Sequence, residues 1–320
     1  MNWGILGCAN IAISSVIPAI LRNDSTAKIT LSTRNLNNVK AKTRHLKCDI
    51  VEGYDNLLNT ENIQLVYIPL PTGLHYQWVK KAIELGKHVL VEKSATNNYI
   101  EAQELIALAK KKNVAVVENF QFQHHSQHQY IFNLINNNEI GEIRSFRSSF
   151  GFPTFDRSSN IRYKKELGGG SLLDAGAYVL KASSFIMGNG FEVKSAFLKM
   201  NNELDVDWFG GAFLVNKEKD IFSEVAFGFD NFYQCNYEVW GSKGKITSTR
   251  AFTAKADFKP TIILEKQGYK EEIELPKDDH FVNMISYFID LVSTKTFDKE
   301  WDNLLIQSKL IEDVLRLSKI

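Results

Sequence analysis

Between residues 2 and 119, short apolar runs alternate with amphipathic stretches, and this alternation narrows the accessible folds more than any other feature of the chain. NWGIL (2–6), KITLS (28–32), QLVYIPLP (64–71), HVLVEK (88–93) and VAVVEN (114–119) read as strands. IAISSVIPAILRN (11–23), VKAKTRHLK (39–47), HYQWVKKAIELG (75–86) and YIEAQELIALAKKKN (99–113) carry apolar residues at helical spacing. Pro18 reads as a kink or a first-turn residue, and Gly86 sits where a left-handed helix cap belongs. A continuous apolar strand such as QLVYIPLP needs cover on both faces. Repeated strand–helix units of this kind call for a doubly wound parallel sheet, a Rossmann arrangement, in an α/β protein.

After residue 120 the pattern changes. A helix over about 127–137 leads into longer strands at 143–150, 195–200, 210–216, 223–229, 237–241, 245–250 and 261–266, whose hairpin-like spacing predicts a large, mostly antiparallel open sheet. Helices over 171–187, 280–293 and 302–319 complete an α+β region. The expected organisation is therefore an α/β domain over 1–119 and an α+β domain over 120–320.

Charge and cysteine usage exclude several classes. Lys plus Arg is 38 against 37 for Asp plus Glu, a net charge of +1, which provides no electrostatic footprint for nucleic acid or an anionic membrane. Cys8, Cys48 and Cys235 form neither a disulfide framework nor a metal-ligand spacing, so no metal and a cytoplasmic location are expected. The start, MNWGILGCANIA, lacks a basic leader region, and no apolar run approaches a membrane span.

The first strand runs into WGILGCANIA. Aligned on the glycine fingerprint G-x-G-x-x-G/A, this places Gly7, Ala9 and Ala12 at the turn, the close-approach position and the helix-packing position. Gly7, Cys8, Ala9, Asn10 and Ile11 then surround the phosphates of a dinucleotide at a helix N-terminus. NAD binders usually end the second strand with an acid that holds the ribose hydroxyls. Here the end reads Ser32-Thr33-Arg34, with no carboxylate, and Arg34 suits a 2′-phosphate. NADP(H) is favoured over NAD(H).

Lys93 follows Glu92 at the end of a buried strand, the edge where open α/β sheets bind ligands. Further on, ELGGGSLLDAGAY (166–178) runs three glycines into an apolar helix bearing Asp174 and Tyr178, which at i and i+4 share a face. Ser171 is placed to cap that helix, and Lys181 reads as a surface lysine. Arg162 suits either a substrate anion or a structural ion pair, the latter favoured. His124, His125 and His128 lack a further ligand that would make a metal site. The aromatic-rich strands (Trp208, Phe209, Phe213, Phe227, Phe229, Tyr233, Tyr237, Trp240) fit sheet core, a sugar-stacking wall or a homo-oligomer face, and a dimer or tetramer is expected.

With these pieces together the chain resembles the glucose-fructose oxidoreductase/inositol dehydrogenase (Gfo/Idh/MocA) family. The resemblance is carried by WGILGCANIA, YIPLPTGLHYQWVKKAIELGKHVLVEK, ENFQFQHHSQ, EIGEIRSF and ELGGGSLLDAGAY. It implies that the family's Glu-Lys-Pro motif falls on Glu92, Lys93 and Ser94, with serine replacing proline and loosening the turn. It places Leu70, Pro71, Thr72 and His75 on the nicotinamide side of the cofactor, and Asp174 and Tyr178 on the family's catalytic pair in its tyrosine form. That form is similar to dihydrodiol, xylose and keto-sugar members. Gln123 stands where the family often has arginine, and Gln123 or His125 is expected near substrate hydroxyls.

The implied chemistry is hydride transfer between nicotinamide C4 and a sugar or keto-sugar, free or nucleotide-linked, with Tyr178 as acid/base, Lys93 polarising the oxygen and Asp174 orienting the substrate. A free phenol titrates at about 10, and a nearby ammonium favours its anion. Proton transfer by Lys93 itself is the alternative assignment. The glycines, on this reading, let backbone pass close to nicotinamide and substrate. A non-catalytic NADP-binding sensor and an NAD-dependent cyclitol or aldose dehydrogenase are the alternative readings.

Overall fold

In the computed structural model, β1 (Asn2–Leu6), β2 (Lys28–Thr33), β3 (Asp49–Glu52), β4 (Leu65–Ile68), β5 (His88–Glu92) and β6 (Val116–Asn119) form one parallel sheet in the order β3-β2-β1-β4-β5-β6. The structure describes residues 1–319 apart from 37, 38, 40–42, 45 and 157–159; the helix expected over 39–47 lies in part outside them. The strand order reverses between β1 and β4, which is the switch point at which open α/β sheets bind ligands. β3 and the short helix Tyr54–Leu58 carry too few apolar residues to stand out in the sequence.

Eight further strands form the second sheet: β7 (Ile143–Phe152), β8 (Glu192–Asn201), β9 (Val206–Asn216), β10 (Ile221–Phe229), β11 (Gln234–Gly241), β12 (Gly244–Ser248), β13 (Thr261–Lys266) and β14 (Tyr269–Glu274). Their order is β14-β13-β12-β11-β7-β10-β9-β8, antiparallel except for the β7–β10 pair. β14, YKEEIE, was not expected: it is an edge strand, and its exposed charges hide it from a hydrophobic pattern. Trp208, Phe227, Phe229 and Tyr237 are buried, whereas Phe197, Phe209 and Trp240 remain exposed.

Packing divides the chain into two compact units, Met1–Asn119 with Phe281–Ser308, and Phe120–His280 with Lys309–Ile320. The expected division at 119 and 120 differs at Phe281–Ser308. Met284, Ile285, Phe288, Trp301 and Leu304 are buried in the core of the first unit, the Trp3 and Phe288 rings packing at a tilt 5.7 Å apart and the Trp301 indole N–H donating to the Val114 carbonyl at 3.3 Å. The apolar stripe of a late helix is satisfied by whichever core has room, and sequence order does not say which. No helix among the described residues is long and apolar enough to cross a membrane.

Candidate active site

In the first unit, the expected cofactor residues gather at the C-terminal ends of β1, β2, β4 and β5. Gly7 has φ +98 and donates its N–H to the Ser32 carbonyl at 3.0 Å. A Cβ there would lie 3.1 Å from the Leu70 side chain and 3.4 Å from the Tyr54 hydroxyl, so only glycine makes this turn without strain. Cys8, Ala9, Asn10 and Ile11 follow it, with the Ser14 hydroxyl donating to the Asn10 carbonyl at 2.8 Å. The expected helix then begins as a π-turn, Ala12–Val16, before the α-helix Ile17–Asn23 with Pro18 in its first turn. Proline has no N–H to continue α-helical pairing backwards, which suits a wider turn before it. Ser32 and Thr33 are buried, with their hydroxyls donating to the Ile5 and Asn35 carbonyls. Arg34 is therefore the exposed side chain at the end of β2, beside the Tyr54 hydroxyl. A glycine turn, a helix start and an exposed cation with no acid at the end of β2 fit an NADP phosphate set.

Lys93 is half-buried, and the Lys93–Ser94 peptide bond is cis. The backbone around it is held from three sides. The half-buried Glu92 carboxylate accepts from the Tyr67 hydroxyl and the Asn119 amide, both at 2.6 Å, and desolvation pushes its pKa up despite those bonds. Glu118 accepts the Ala95 N–H at 2.8 Å. His75 lies with Nδ1 2.8 Å from the Ser94 carbonyl and Nε2 2.6 Å from the Leu70 carbonyl. His75 was expected to flank the nicotinamide. It is fully buried, and its two ring nitrogens hold the backbone of Leu70, ahead of the Pro71-Thr72 turn, and of Ser94.

Burial lowers the pKa of His75 to about 4, with the nearby Lys93 charge acting the same way, and that of His128 and His280 in the second unit to about 3 and about 4. Unfolded, these rings take up protons near 6.5. A lowered folded pKa means stability that is complete above the unfolded value and is lost as pH falls towards the folded one. The melting temperature is therefore expected to be flat above about pH 6.5 and to fall steadily towards pH 4. A profile that stays flat across that window would contradict three neutral buried imidazoles.

In the second unit, the expected helix after the glycines also opens as a π-turn, Leu172–Gly176, and becomes α-helical over Ala177–Met187. Such wide turns recur at functional sites. Tyr178 is buried, its ring boxed by Phe120 (5.6 Å), Phe122 (5.9 Å), Phe150 (5.2 Å) and Phe252 (5.6 Å). Its hydroxyl accepts from the Gln121 amide at 3.2 Å. Gln121 was not singled out in the sequence: it sits in ENFQFQ with no periodic signal, and only the fold brings it to Tyr178. Asp174 accepts from Arg162 Nε at 2.5 Å, the structural ion pair that was the favoured reading of Arg162. Lys181 is not at the surface: it is buried, with its ammonium over the Phe120 ring at 5.7 Å.

The glycine run has an internal cause. Gly168 has φ +77 and closes the 3₁₀ turn Lys165–Leu167. A Cβ on Gly169 would meet the Arg162 carbonyl at 2.6 Å, and one on Gly170, at φ +115, would meet Asp207 Oδ1 at 2.2 Å. Asp207, at the start of β9, is buried and takes the Ser171 hydroxyl at 2.7 Å and the Leu172 N–H at 2.6 Å on its Oδ2. The helix is thus capped by Asp207, 36 residues away, and Ser171 serves that carboxylate rather than the helix itself. Close approach by the chain itself accounts for Gly169 and Gly170.

His125 was expected near substrate hydroxyls. It is buried, and its Nδ1 accepts the Gln127 N–H at 3.2 Å, capping the helix Ser126–Asn136. Gln123 is half-buried in the turn Gln121–His124, and His128 pairs with the Tyr237 hydroxyl at 2.7 Å. Among the described residues, no group of three or more His, Cys, Asp or Glu is placed to hold a metal ion.

Residues 1–120 match the oxidoreductase family, NAD-binding Rossmann fold, and residues 128–247 match the GFO/IDH/MocA C-terminal domain. The chain is 35% identical over 312 residues to a dTDP-3,4-didehydro-2,6-dideoxy-alpha-D-glucose 3-reductase from Actinomadura kijaniata, spanning 97% of this chain and 93% of that protein. It is similar to a solved 3-ketoreductase from the same organism in complex with NADP and TDP-benzene, with TM-score 0.94 and 33% identity over 99% of this chain and 97% of that one. A D-xylose 1-dehydrogenase (NADP(+)) 2 from Haloferax volcanii is 33% identical over 189 residues, 59% of this chain and 58% of that protein.

Proposed function

The chain belongs to the Gfo/Idh/MocA oxidoreductase family, and from that premise we propose that it is an NADP-dependent reductase of a nucleotide-linked keto-sugar. The observation that carries this reading is end-to-end likeness to a keto-sugar 3-reductase in a chain that also has Lys93 at the end of β5 and a Gln121-bonded Tyr178. On this reading the first unit holds the cofactor through the Gly7 turn, the backbone of 8–11, Arg34 and the Leu70–Thr72 turn. The second unit holds the sugar.

Bound NADPH supplies a hydride at nicotinamide C4. Lys93 donates a charge-assisted hydrogen bond to the sugar carbonyl oxygen and stabilises the negative charge that grows there. Tyr178 gives its proton to that oxygen, and the product is the alcohol. The Gln121 amide, already on the Tyr178 oxygen, supports the phenolate left behind. Asp174, fixed by Arg162, accepts from a neighbouring sugar hydroxyl and sets which carbon faces the nicotinamide.

The test mixes the protein with NADPH and a panel of nucleotide-linked and free keto-sugars while following absorbance of the reduced nicotinamide. Consumption with a nucleotide-linked keto-sugar is expected, and Arg34→Ala is expected to weaken NADPH binding roughly tenfold while sparing NADH. Cofactor binding without turnover on any substrate would support the sensor reading instead, and a wild-type preference for NADH would overturn the role of Arg34.

A further inference from the structure

Four neighbouring strands of the eight-stranded sheet start or end on one side of it. β7 and β10 end there together, Phe152 opposite Phe229. β11 begins there, Gln234 opposite Gly151, and β12 ends there, Ser248 opposite Tyr237. The turn leaving β10 carries Tyr233, and the segment leaving β12 carries Arg250.

Arg250 places its guanidinium 4.8 Å from the Tyr233 ring centroid and 5.7 Å from that of Phe258. Its Nε is buried and has no hydrogen-bond partner among the described residues. The contrast is with Arg162, which Asp174 takes. A buried guanidinium N–H is unfavourable without an acceptor, and a phosphate oxygen is a strong one. Stacking on Tyr233 holds the guanidinium plane in place before that happens. The Tyr233 hydroxyl is itself tied to Thr253 Oγ1 at 2.9 Å, which anchors the platform. Phe252, two residues beyond Arg250, packs its ring on Tyr178 at 5.6 Å.

We propose that Arg250, stacked on Tyr233, binds the diphosphate of the nucleotide-linked substrate; this rests on the keto-sugar reading above. A planar fork of N–H donors matches phosphate oxygens bidentately, whereas a free sugar offers only hydroxyls and leaves the charge unmatched. Phe258, 38% exposed beside it, widens the platform towards solvent.

Isothermal titration of wild-type protein with dTDP and UDP tests the assignment. Binding of at least one is expected, weakened roughly 10- to 100-fold by Arg250→Gln. Arg250→Lys, which keeps the charge and loses the fork, is expected in between, with NADPH affinity unchanged in both variants. Equal diphosphate affinity in wild type and Arg250→Gln overturns the subsite. A loss confined to NADPH also overturns it, assigning Arg250 to the cofactor's pyrophosphate. Wild-type protein that turns over a free keto-sugar yet binds neither nucleotide removes the nucleotide-linked reading and the subsite together.

Discussion

Turnover of Lys93→Ala and of Tyr178→Phe is expected to fall by about 10²- to 10⁴-fold each, with NADPH affinity and folding close to wild type. The tyrosine variant is a clean probe because the ring is held by four phenylalanines and stays in place when the hydroxyl goes. What is lost is a proton donor and one hydrogen bond to Gln121, worth about 1 kcal/mol of stability. Lys93 is half-buried at a strand end whose backbone is fixed by Glu92, Glu118 and His75, so truncating its side chain leaves the turn supported. Steady-state rates with NADPH and the substrate found in the panel, beside melting curves, decide the matter. Rates near wild type in both variants would sink the assignment. A loss in Lys93→Ala alone would move proton transfer to the lysine.

Gly170→Ala is expected to destabilise the protein by about 3–5 kcal/mol, in the far tail of single substitutions. Two effects add. At φ +115 an L-residue is strained whatever surrounds it. The new Cβ would also stand 2.2 Å from Asp207 Oδ1. That carboxylate cannot swing away cheaply, because its other oxygen takes the Ser171 hydroxyl and the Leu172 N–H. Burial already pushes the Asp207 pKa up, so losing those donors leaves a poorly solvated charge. Gly86→Ala provides the control: its φ is +72 with nothing within 4 Å, so only the backbone effect applies, about 1–2 kcal/mol. Urea unfolding of both variants measures the difference. If Gly170→Ala were no worse than Gly86→Ala, Asp207 would not be what holds the glycine in place.

Much of the first unit was legible because its signals are local. Apolar runs such as LVYI and HVLVE declare strands buried on both faces, and their alternation with helices admits essentially one sheet. The left-handed Gly7 turn and the position of Lys93 at a strand end follow from the same short-range pattern. β14 was invisible because an edge strand need not be apolar. Phe281–Ser308 was placed with the wrong unit because a helix stripe shows that it is buried but not against what.

The sequence by itself determined the doubly wound sheet, the glycine turn after β1 and the placing of Lys93 at a strand end, since periodicity and turn chemistry act over a few residues. The tertiary structure alone decided who holds whom. Asp207 reaches Ser171, just after the glycine run, from 36 residues away, Gln121 reaches Tyr178 from 57, and His75 reaches the Ser94 carbonyl from 19. Those pairings are set by strand register and by which side chains are forced out of water together, and no local pattern in the chain records either.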